Sequence, residues 1–395
     1  MASPVDTSVK HAYSSMTGAP AIGGTVGSLI GALDAFLVNG WGAKAVDSAV
    51  ISNGVCRLNF ASGKSAAEAP AVILVTGATP SALNGEQKVT AVANGWVEFK
   101  TDLPDGAVTG SISFKMAPLG WEKVFSKTNV AVYRPTDPAS TRTYYRVDDT
   151  NARYARVQMY ESMTDVDNGV GAAPLTVSGG YYWHRRESGT ANSYWVLAGD
   201  SRAFYFLIGA SSASSPSSSG NTALVSQFMG DLNGFRSGDA WGAALTGITD
   251  TAYSNTIGCV FCTGSSSGLT LKRMAHGLGS AVQTSRRVFG GASSTSGNDG
   301  TLGAFPSSVD NGLHLSAILL NDGPTAASGP RGSMPGAYHC PQSGALAGFG
   351  SDVSITRGQG MFSGKQLLSV HIGIPSSGSQ GMAFIDVTGP WRSQA

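Results

Sequence analysis

The chain has 395 residues, of which 26 are basic and 25 acidic, and its formal net charge is +1. So balanced a charge excludes a strong global field that would steer nucleic acid or an anionic membrane surface toward the protein. The length and a hydrophobic content of 42% suffice for two or three domains with a sizeable core.

Charged residues make up 13% of the chain, about half of the usual ~25%, and 53 residues are glycine. This composition is typical of turns, strands and surface that other subunits cover. Four scattered cysteines are too few for a disulfide framework, which predicts assembly in a reducing cytosol. The N-terminal residues lack the pattern of a signal peptide, and glycines and Asp34 interrupt the apolar run at 21–38. We therefore expect neither a secretion signal nor membrane insertion.

Residues 25–38 predict a helix, because their apolar residues recur at spacings of three and four, with Thr25 as the N-cap and Asn39-Gly40 as the stop. Short runs rich in valine, isoleucine and aromatic residues follow, and frequent turn residues separate them. This rhythm predicts a small antiparallel β-sandwich-like domain with one helix over residues 1–118. A larger antiparallel β domain with long Gly/Ser loops is predicted over residues 119–395. The predicted fold class is therefore mainly β.

The stretch RTYYRVDDTNARYARVQMYESMTDVDNG, residues 142–169, is dense in charge. Tyr145 and Val147 alternate with polar residues, and the alternation resumes at residues 155–159, which predicts a hairpin. Asp149 and Asn151 suit its tip. We interpret the charges as structural, with ion pairs that fix register within the chain or toward a neighbouring subunit. The candidate interface residues are Arg142, Arg146, Asp148, Asp149, Arg153 and Arg156 of the hairpin, with His184, Arg185 and Arg186 of the motif YYWHRR.

Farther along, Gly199-Asp200 lies between two apolar runs and predicts a second hairpin. The Ser-rich stretch 211–219 and the Gly/Ser-rich stretch 290–300 predict exposed loops. Residues 221–235 are compatible with a short helix, after which strand patterns return.

Several motifs have competing chemical interpretations. GSSSG at 264–268 matches a serine nucleophile elbow, but a strand pattern follows it where that motif requires a helix, so Ser266 is predicted to be a hairpin residue. Cys259 and Cys262 have the spacing of zinc and redox sites, with Cys340 as a further candidate ligand. Residues three apart on a strand face opposite sides, which favours ordinary packing of the thiols.

Two more motifs fall short of their patterns. Asp165 and Asp167 resemble the start of a calcium loop that lacks its later ligands, so a turn is favoured over a bound cation. GMFSGK at 360–365 is one residue short of a phosphate-binding loop. We therefore expect no cofactor and no metal.

Larger segments resemble a family of tailed-bacteriophage virion proteins, described as structural or tail proteins. The likeness is carried by KHAYSSMTGAPAIGGTVGSLIGALDAFLVNGWG, GWEKVFSKTNVAVYRPTD, the 142–169 stretch, WVLAGDSRAFYFLIG and PRGSMPGAYHCP. The resemblance implies a place in a virus particle, with copies of the same chain and other phage structural proteins as partners. It implies no catalytic residue.

We therefore predict a non-enzymatic structural component of a phage virion, in the tail, assembled in the host cytoplasm. Its strands would extend sheets across subunit edges. The alternative is a receptor-binding or head-surface protein whose exposed loops at 211–219 and 290–300 contact host glycan. A third hypothesis is a polysaccharide hydrolase that uses two carboxylates among Asp148, Asp149, Glu161 and Asp165.

Overall fold

The computed structural model describes residues 3–61, 63–186, 188–209, 224–251, 260–261, 267–288, 301–350, 352–373 and 380–392. The fold is mainly β and is built from antiparallel sheets, which confirms the predicted fold class. Throughout these ranges, every helix is too short or too polar to cross a membrane.

The strands are numbered in chain order. The N-terminal strands are β1 (Lys10–Tyr13), β2 (Trp41–Ala45), β3 (Ser48–Ser52), β4 (Val55–Asn59), β5 (Val72–Thr76), β6 (Gly85–Ala93), β7 (Trp96–Lys100), β8 (Gly106–Val108) and β9 (Ser113–Met116). The next are β10 (Trp121–Lys127), β11 (Val130–Pro135), β12 (Tyr144–Asp148), β13 (Tyr154–Tyr160), β14 (Ser162–Met163), β15 (Gly169–Val170), β16 (Tyr181–His184), β17 (Trp195–Gly199), β18 (Ala203–Ile208) and β19 (Val225–Asp231). The last are β20 (Asn233–Gly234), β21 (Ala243–Ile248), β22 (Ser267–Leu271), β23 (Val282–Gln283), β24 (Arg286–Arg287), β25 (Ser316–Asn321), β26 (Pro330–His339), β27 (Ser354–Arg357), β28 (Gln366–Gly373) and β29 (Gln380–Asp386).

The helices are short. They comprise α1 (Ser28–Leu33), which continues as a π-helix (Asp34–Asn39), α2 (Ala345–Phe349), and 3₁₀ turns at Ser81–Leu83, Ala326–Ser328 and Gly360–Phe362.

The helix predicted over residues 25–38 is confirmed, as is its end at Asn39, where Gly40 takes a positive φ of 70°. The predicted N-cap is wrong. Gly27, with a φ of 81°, occupies the N-cap position, and glycine has no side chain that could accept a hydrogen bond there. The capping acceptor comes instead from Asp149, which lies far away in sequence. Sequence proximity therefore could not have identified this cap.

The N-terminal sheet has the strand order β2-β9-β5-β6-β7-β4-β3-β8. Strand β6 pairs with β5 through its first residues and with β7 through its last, so the two halves of the sheet share this strand. Apolar side chains from both halves meet in one core, where the rings of Phe60 and Phe114 lie 5.6 Å apart. This arrangement matches the strands predicted between residues 55 and 118.

The central sheet has the order β1-β17-β18-β19-β21-β16-β13-β12-β11-β10, with β22 and β23 attached at β21. Its first strand comes from the N-terminus, since Lys10 pairs with Gly199 and Tyr13 with Val196. Helix α1 also packs close to this sheet, because the hydroxyl of Tyr133 donates to Asp34 at 2.8 Å. The N-terminal sheet ends at Met116, near the predicted boundary, and the division into 1–118 and 119–395 stays a prediction.

The C-terminal sheet has the order β24-β25-β26-β29-β28-β27, with β20 attached at β26. The predicted second hairpin is confirmed by the β17–β18 pairing. The helix predicted within residues 221–235 is wrong, because residues 225–231 form β19, with neighbours on both sides in the central sheet. Every residue of β19 is buried, so packing on two faces decides its conformation.

Candidate interface around the 142–169 hairpin

The predicted hairpin consists of β12 and β13, which pair in antiparallel register. Tyr145 lies opposite Met159 and Val147 opposite Val157, and all four side chains are buried in the core. Arg146 lies opposite Gln158 and Asp148 opposite Arg156 on the other, half-buried face. The predicted assignment of side chains to faces is therefore confirmed.

The half-buried face is covered in part by residues 161–172, which we call the arm. Beneath the arm lies a small apolar cluster formed by Val132, Tyr160 and Met163, with Val166 packed against it. The arm starts at an ion pair, because Glu161 Oε2 accepts a hydrogen bond from Arg273 Nη2 at 2.7 Å. In the middle of the arm, Val166 and Asp167 contact Arg146 of the hairpin.

Arg146 fastens the arm to the hairpin. Its Nε donates to the backbone carbonyl of Val166 at 2.8 Å, and its Nη2 donates to Asp167 Oδ1 at 3.0 Å. Lys127 Nζ, on β10, lies 2.6 Å from Asp167 Oδ2. Nη1 of Arg146 also lies 3.3 Å from Asp148 Oδ2. The predicted pairing of Arg146 with Asp148 is confirmed, and Asp167 is the additional partner.

Arg142 and Arg156 also bind groups of the same chain. Arg142 Nη2 lies 3.2 Å from Glu122 Oε1, and its Nη1 donates to the carbonyl of Thr136 at 2.9 Å. The guanidinium of Arg156 stacks 3.9 Å above the ring of Tyr182, and its Nη2 donates to the carbonyl of Gly180 at 2.7 Å. These contacts hold loops against the sheet.

Asp149 is the main departure from the predicted picture, because it lies inside the protein and not on an exposed tip. Its Oδ1 lies 2.8 Å from Arg185 Nε, and neither side chain is exposed to solvent. Its Oδ2 accepts from the backbone N–H groups of Leu29 at 2.9 Å and Ile30 at 3.3 Å, which caps α1. Burial raises the pKa of Asp149 to about 6, although Arg185 and the two N–H groups act in the opposite direction.

The guanidinium of Arg185 satisfies its remaining donors with nearby oxygens. Nη1 donates to the carbonyl of Gly23 at 2.7 Å and to Ser28 Oγ at 2.8 Å, and Nη2 donates to the carbonyl of Asn151. Burial lowers the pKa of Arg185, but an arginine remains charged at any ordinary pH. The pair therefore joins three segments: the approach to α1, the hairpin tip and the end of β16.

The other two candidates of the YYWHRR motif are also covered by the chain itself. Arg186 is buried and donates to the carbonyls of Ser188 and Asn192. Burial lowers the pKa of His184 to about 4, and its ring packs edge-on against Tyr154 at 5.8 Å. Asp149, His184, Arg185 and Arg186 thus do not face outward, whereas Arg153 is exposed.

Asp165 and Asp167 form the predicted turn. Asp165 Oδ1 accepts from the backbone N–H groups of Asp167 and Asn168, and the Asn168 side chain holds the pKa of Asp165 below its usual range. Hydrogen bonds from Lys127 and Arg146 lower the pKa of Asp167. Within the described ranges, no group of three or more candidate ligands is placed to hold a metal ion.

The carboxylates named for hydrolysis are engaged by partners in the chain. Asp148 binds Arg146 and Thr150, Asp149 binds Arg185, and Glu161 binds Arg273. Asp165 closes its own turn. Each of these carboxylates is therefore held by a partner within the chain, and the hydrolase stays a hypothesis.

Of the remaining cysteine, serine and glycine motifs, some lie within the residues that the structure describes and others lie outside them. Cys56 and Cys340 are buried thiols, and burial raises the pKa of Cys56 to about 12, which makes it unreactive. Cys259, Cys262, Ser266, residues 211–219 and residues 290–300 lie outside the described residues. Gly360–Phe362 of GMFSGK is a 3₁₀ turn, not the start of a long helix.

No protein-family model matches the chain, and a search of the curated proteins found no match. The resemblance to tailed-phage virion proteins therefore stays a prediction. The contacts around the hairpin, described above, are the basis for a functional proposal.

The residues that complete the ion pairs around the hairpin were not predicted from the sequence. Glu122, Lys127 and Arg273 come from β10 and from the segment after β22, far from their partners in sequence. Lys127 offered a weak signal, because charged residues at the end of an edge strand often pair with a neighbouring loop. Arg273 offered none, since its partner is 112 residues away.

Proposed function

We propose that the protein is a non-enzymatic structural component of a bacteriophage virion, placed in the tail, which acts through contacts between subunits. The single observation that carries this proposal is the pairing of the hairpin charges with one another and with backbone carbonyls of the same chain. Side chains that are bound in this way hold the surface in shape, which supports a structural role. The resemblance in sequence is the reason for proposing a phage particle, and the ion pairs support a structural role within that particle.

The contact surface is assigned to the arm and its neighbourhood. Val170 and Leu175 are large apolar residues that are 68% and 59% exposed, beside a region whose charges are neutralised internally. Removing these exposed apolar side chains from water is favourable, and the neighbouring charges already have partners within the chain, so this surface favours association. The partners are copies of this chain and other structural proteins of the particle.

Strand addition at β10 is disfavoured as the mode of contact. The strand has a bulge between Lys123 and Phe125, and its two lysines pair with Asp34 and Asp167. Bulges and charged residues are features that prevent pairing at sheet edges. Faces and loops are therefore better suited to subunit contact than this edge, and the extension of sheets across subunits at other edges stays a prediction.

The decisive experiment locates the chain in purified particles. A compact tag fused after Ala395 is imaged by negative-stain electron microscopy, and we expect label at regular positions on the tail. Label on the head shell, together with inhibition of adsorption by the purified protein, would favour the receptor-binding or head-surface alternative. Particles that lack the chain altogether would contradict a structural role.

A further inference from the structure

A cavity of about 400 Å³ opens between the chain after β1, the loop that joins β4 to β5, and the end of β6. Thr17, Lys64 and Glu68 contribute polar groups to its wall. It lies away from the hairpin and plays no part in the proposed structural role. Its volume falls in the range of pockets that hold small ligands.

Glu68 and Lys64 each present an atom to the cavity that is available to a ligand, and Tyr13 holds Glu68 in place. The hydroxyl of Tyr13 donates to Glu68 Oε2, and burial, followed by the interaction with Glu68, raises the pKa of this phenol well above its usual value. Tyr13 thus remains a proton donor and fixes the carboxylate. For Oε1 of Glu68 and for Nζ of Lys64, the part of the chain that the structure describes provides no hydrogen-bond or ion-pair partner.

Ser65 also lines the wall, where its Oγ accepts from the N–H of Ala67 at 3.3 Å, and the other lining residues are small and apolar. Ala67, Ala69, Val92 and Ala93 provide methyl groups and no polar side-chain atom. The loop beneath them is fixed by its backbone, because the N–H of Ala71 donates to the carbonyl of Glu68 at 2.6 Å. The cavity therefore combines a carboxylate acceptor fixed by Tyr13, an exposed cationic donor and an apolar part of the wall.

We infer that this cavity binds a neutral saccharide of one or two rings. Lys64 and Glu68 carry opposite charges, so the wall has no net formal charge and fits a ligand without net charge. Sugar hydroxyls donate to the free Glu68 oxygen and accept from Lys64, while a C–H face rests on the alanine methyl groups. Charged partners strengthen such hydrogen bonds relative to neutral ones. The inference does not depend on a place in the phage tail.

The test uses the full-length protein and neutral disaccharides as probes: maltose, lactose and N,N′-diacetylchitobiose. Saturation-transfer NMR detects binding, and calorimetric titration measures Kd for any probe that binds. Glu68→Gln and Lys64→Met each remove one charged partner, and we expect each to weaken binding by about tenfold. Lys100→Met, which alters an exposed lysine at the end of β7 in the same sheet, serves as the matched control and keeps the wild-type Kd.

Two further measurements separate recognition from folding and from other ligands. Lys64 is exposed, so Lys64→Met keeps the wild-type unfolding temperature, and weaker binding in this variant cannot come from misfolding. Glycylglycine, a zwitterion, is titrated in parallel. Binding of glycylglycine without binding of any disaccharide would overturn the saccharide assignment. So would the absence of disaccharide binding, or an affinity that neither variant changes.

Discussion

Asp149 and Arg185 form an ion pair with an Oδ1–Nε distance of 2.8 Å, and both side chains are fully buried. The same carboxylate caps α1 through the N–H groups of Leu29 and Ile30. One side chain therefore connects the hairpin tip, β16 and the N-terminal helix. A buried pair of this kind adds little net stability compared with an apolar replacement of both partners, but loss of one partner leaves an uncompensated charge.

Asp149→Ala is expected to lower the free energy of unfolding by about 3 kcal/mol or more, because Arg185 and the N–H groups of Leu29 and Ile30 lose their buried acceptor. Asp149→Asn is expected to cost less, since the amide oxygen still accepts from the helix N–H groups. Asp148→Ala, at a half-buried position next in sequence, is the control and changes stability by less than about 1 kcal/mol. Urea denaturation followed by tryptophan fluorescence measures all three. Equal losses for Asp149→Ala and Asp148→Ala would contradict the assigned role.

The pH dependence of stability provides a second prediction. The pKa of Asp149 is raised to about 6 in the folded protein, whereas the unfolded carboxyl titrates near its ordinary value of 3.8. Between these values the folded state binds more protons, so the contribution of Asp149 to stability rises as the pH falls from about 6 toward 3.8. The denaturation midpoint of the wild type should thus increase relative to that of Asp149→Asn over this interval. A constant difference between the two proteins would show that the carboxyl has no raised pKa.

The arm is expected to become more mobile when the ion pairs that hold it to the hairpin and to β10 are removed. Asp167→Ala removes the shared partner of Lys127 and Arg146, and hydrogen exchange of residues 161–172 should become faster. Because both ion pairs are exposed to solvent, the global stability of the fold should change little. Glu98→Ala, which breaks the exposed pair with Arg57 in the N-terminal sheet, is the matched control. It should leave exchange in the arm unchanged.

Self-association should depend on the exposed apolar residues beside the arm. Val170→Asp and Leu175→Asp each place a charge on the assigned contact surface, and sedimentation should show smaller assemblies, with an unchanged unfolding temperature. Val309→Asp, at a residue that is 93% exposed in the C-terminal region, is the control and should assemble like the wild type. Assemblies of normal size for both arm variants would exclude this surface as the contact.

Much of the fold was predictable where a local pattern determines the structure. The alternation around Tyr145 and Val147 identified the hairpin and its buried face, because β-strand side chains alternate whatever surrounds them. The same reasoning did not identify the strand at residues 225–231, because a strand buried on both faces has no alternation of polar and apolar residues to detect. The burial of Asp149 was not predictable, because its partners come from residues 29, 30 and 185. Polar residues at a turn are ordinarily exposed, and only tertiary packing reverses this.

The pairing of β1 with β17 has a consequence for biosynthesis. Lys10–Tyr13 leave the ribosome early, but their partner strand, Trp195–Gly199, is translated much later. The edge of the central sheet therefore cannot form until about half of the chain has been synthesised, and the backbone N–H and C=O groups of the first strand lack their sheet partners during that time. Premature termination anywhere before β17 would release a fragment in which β1 has no partner strand and is available to pair with another chain. Chaperone demand during translation should be highest in that interval.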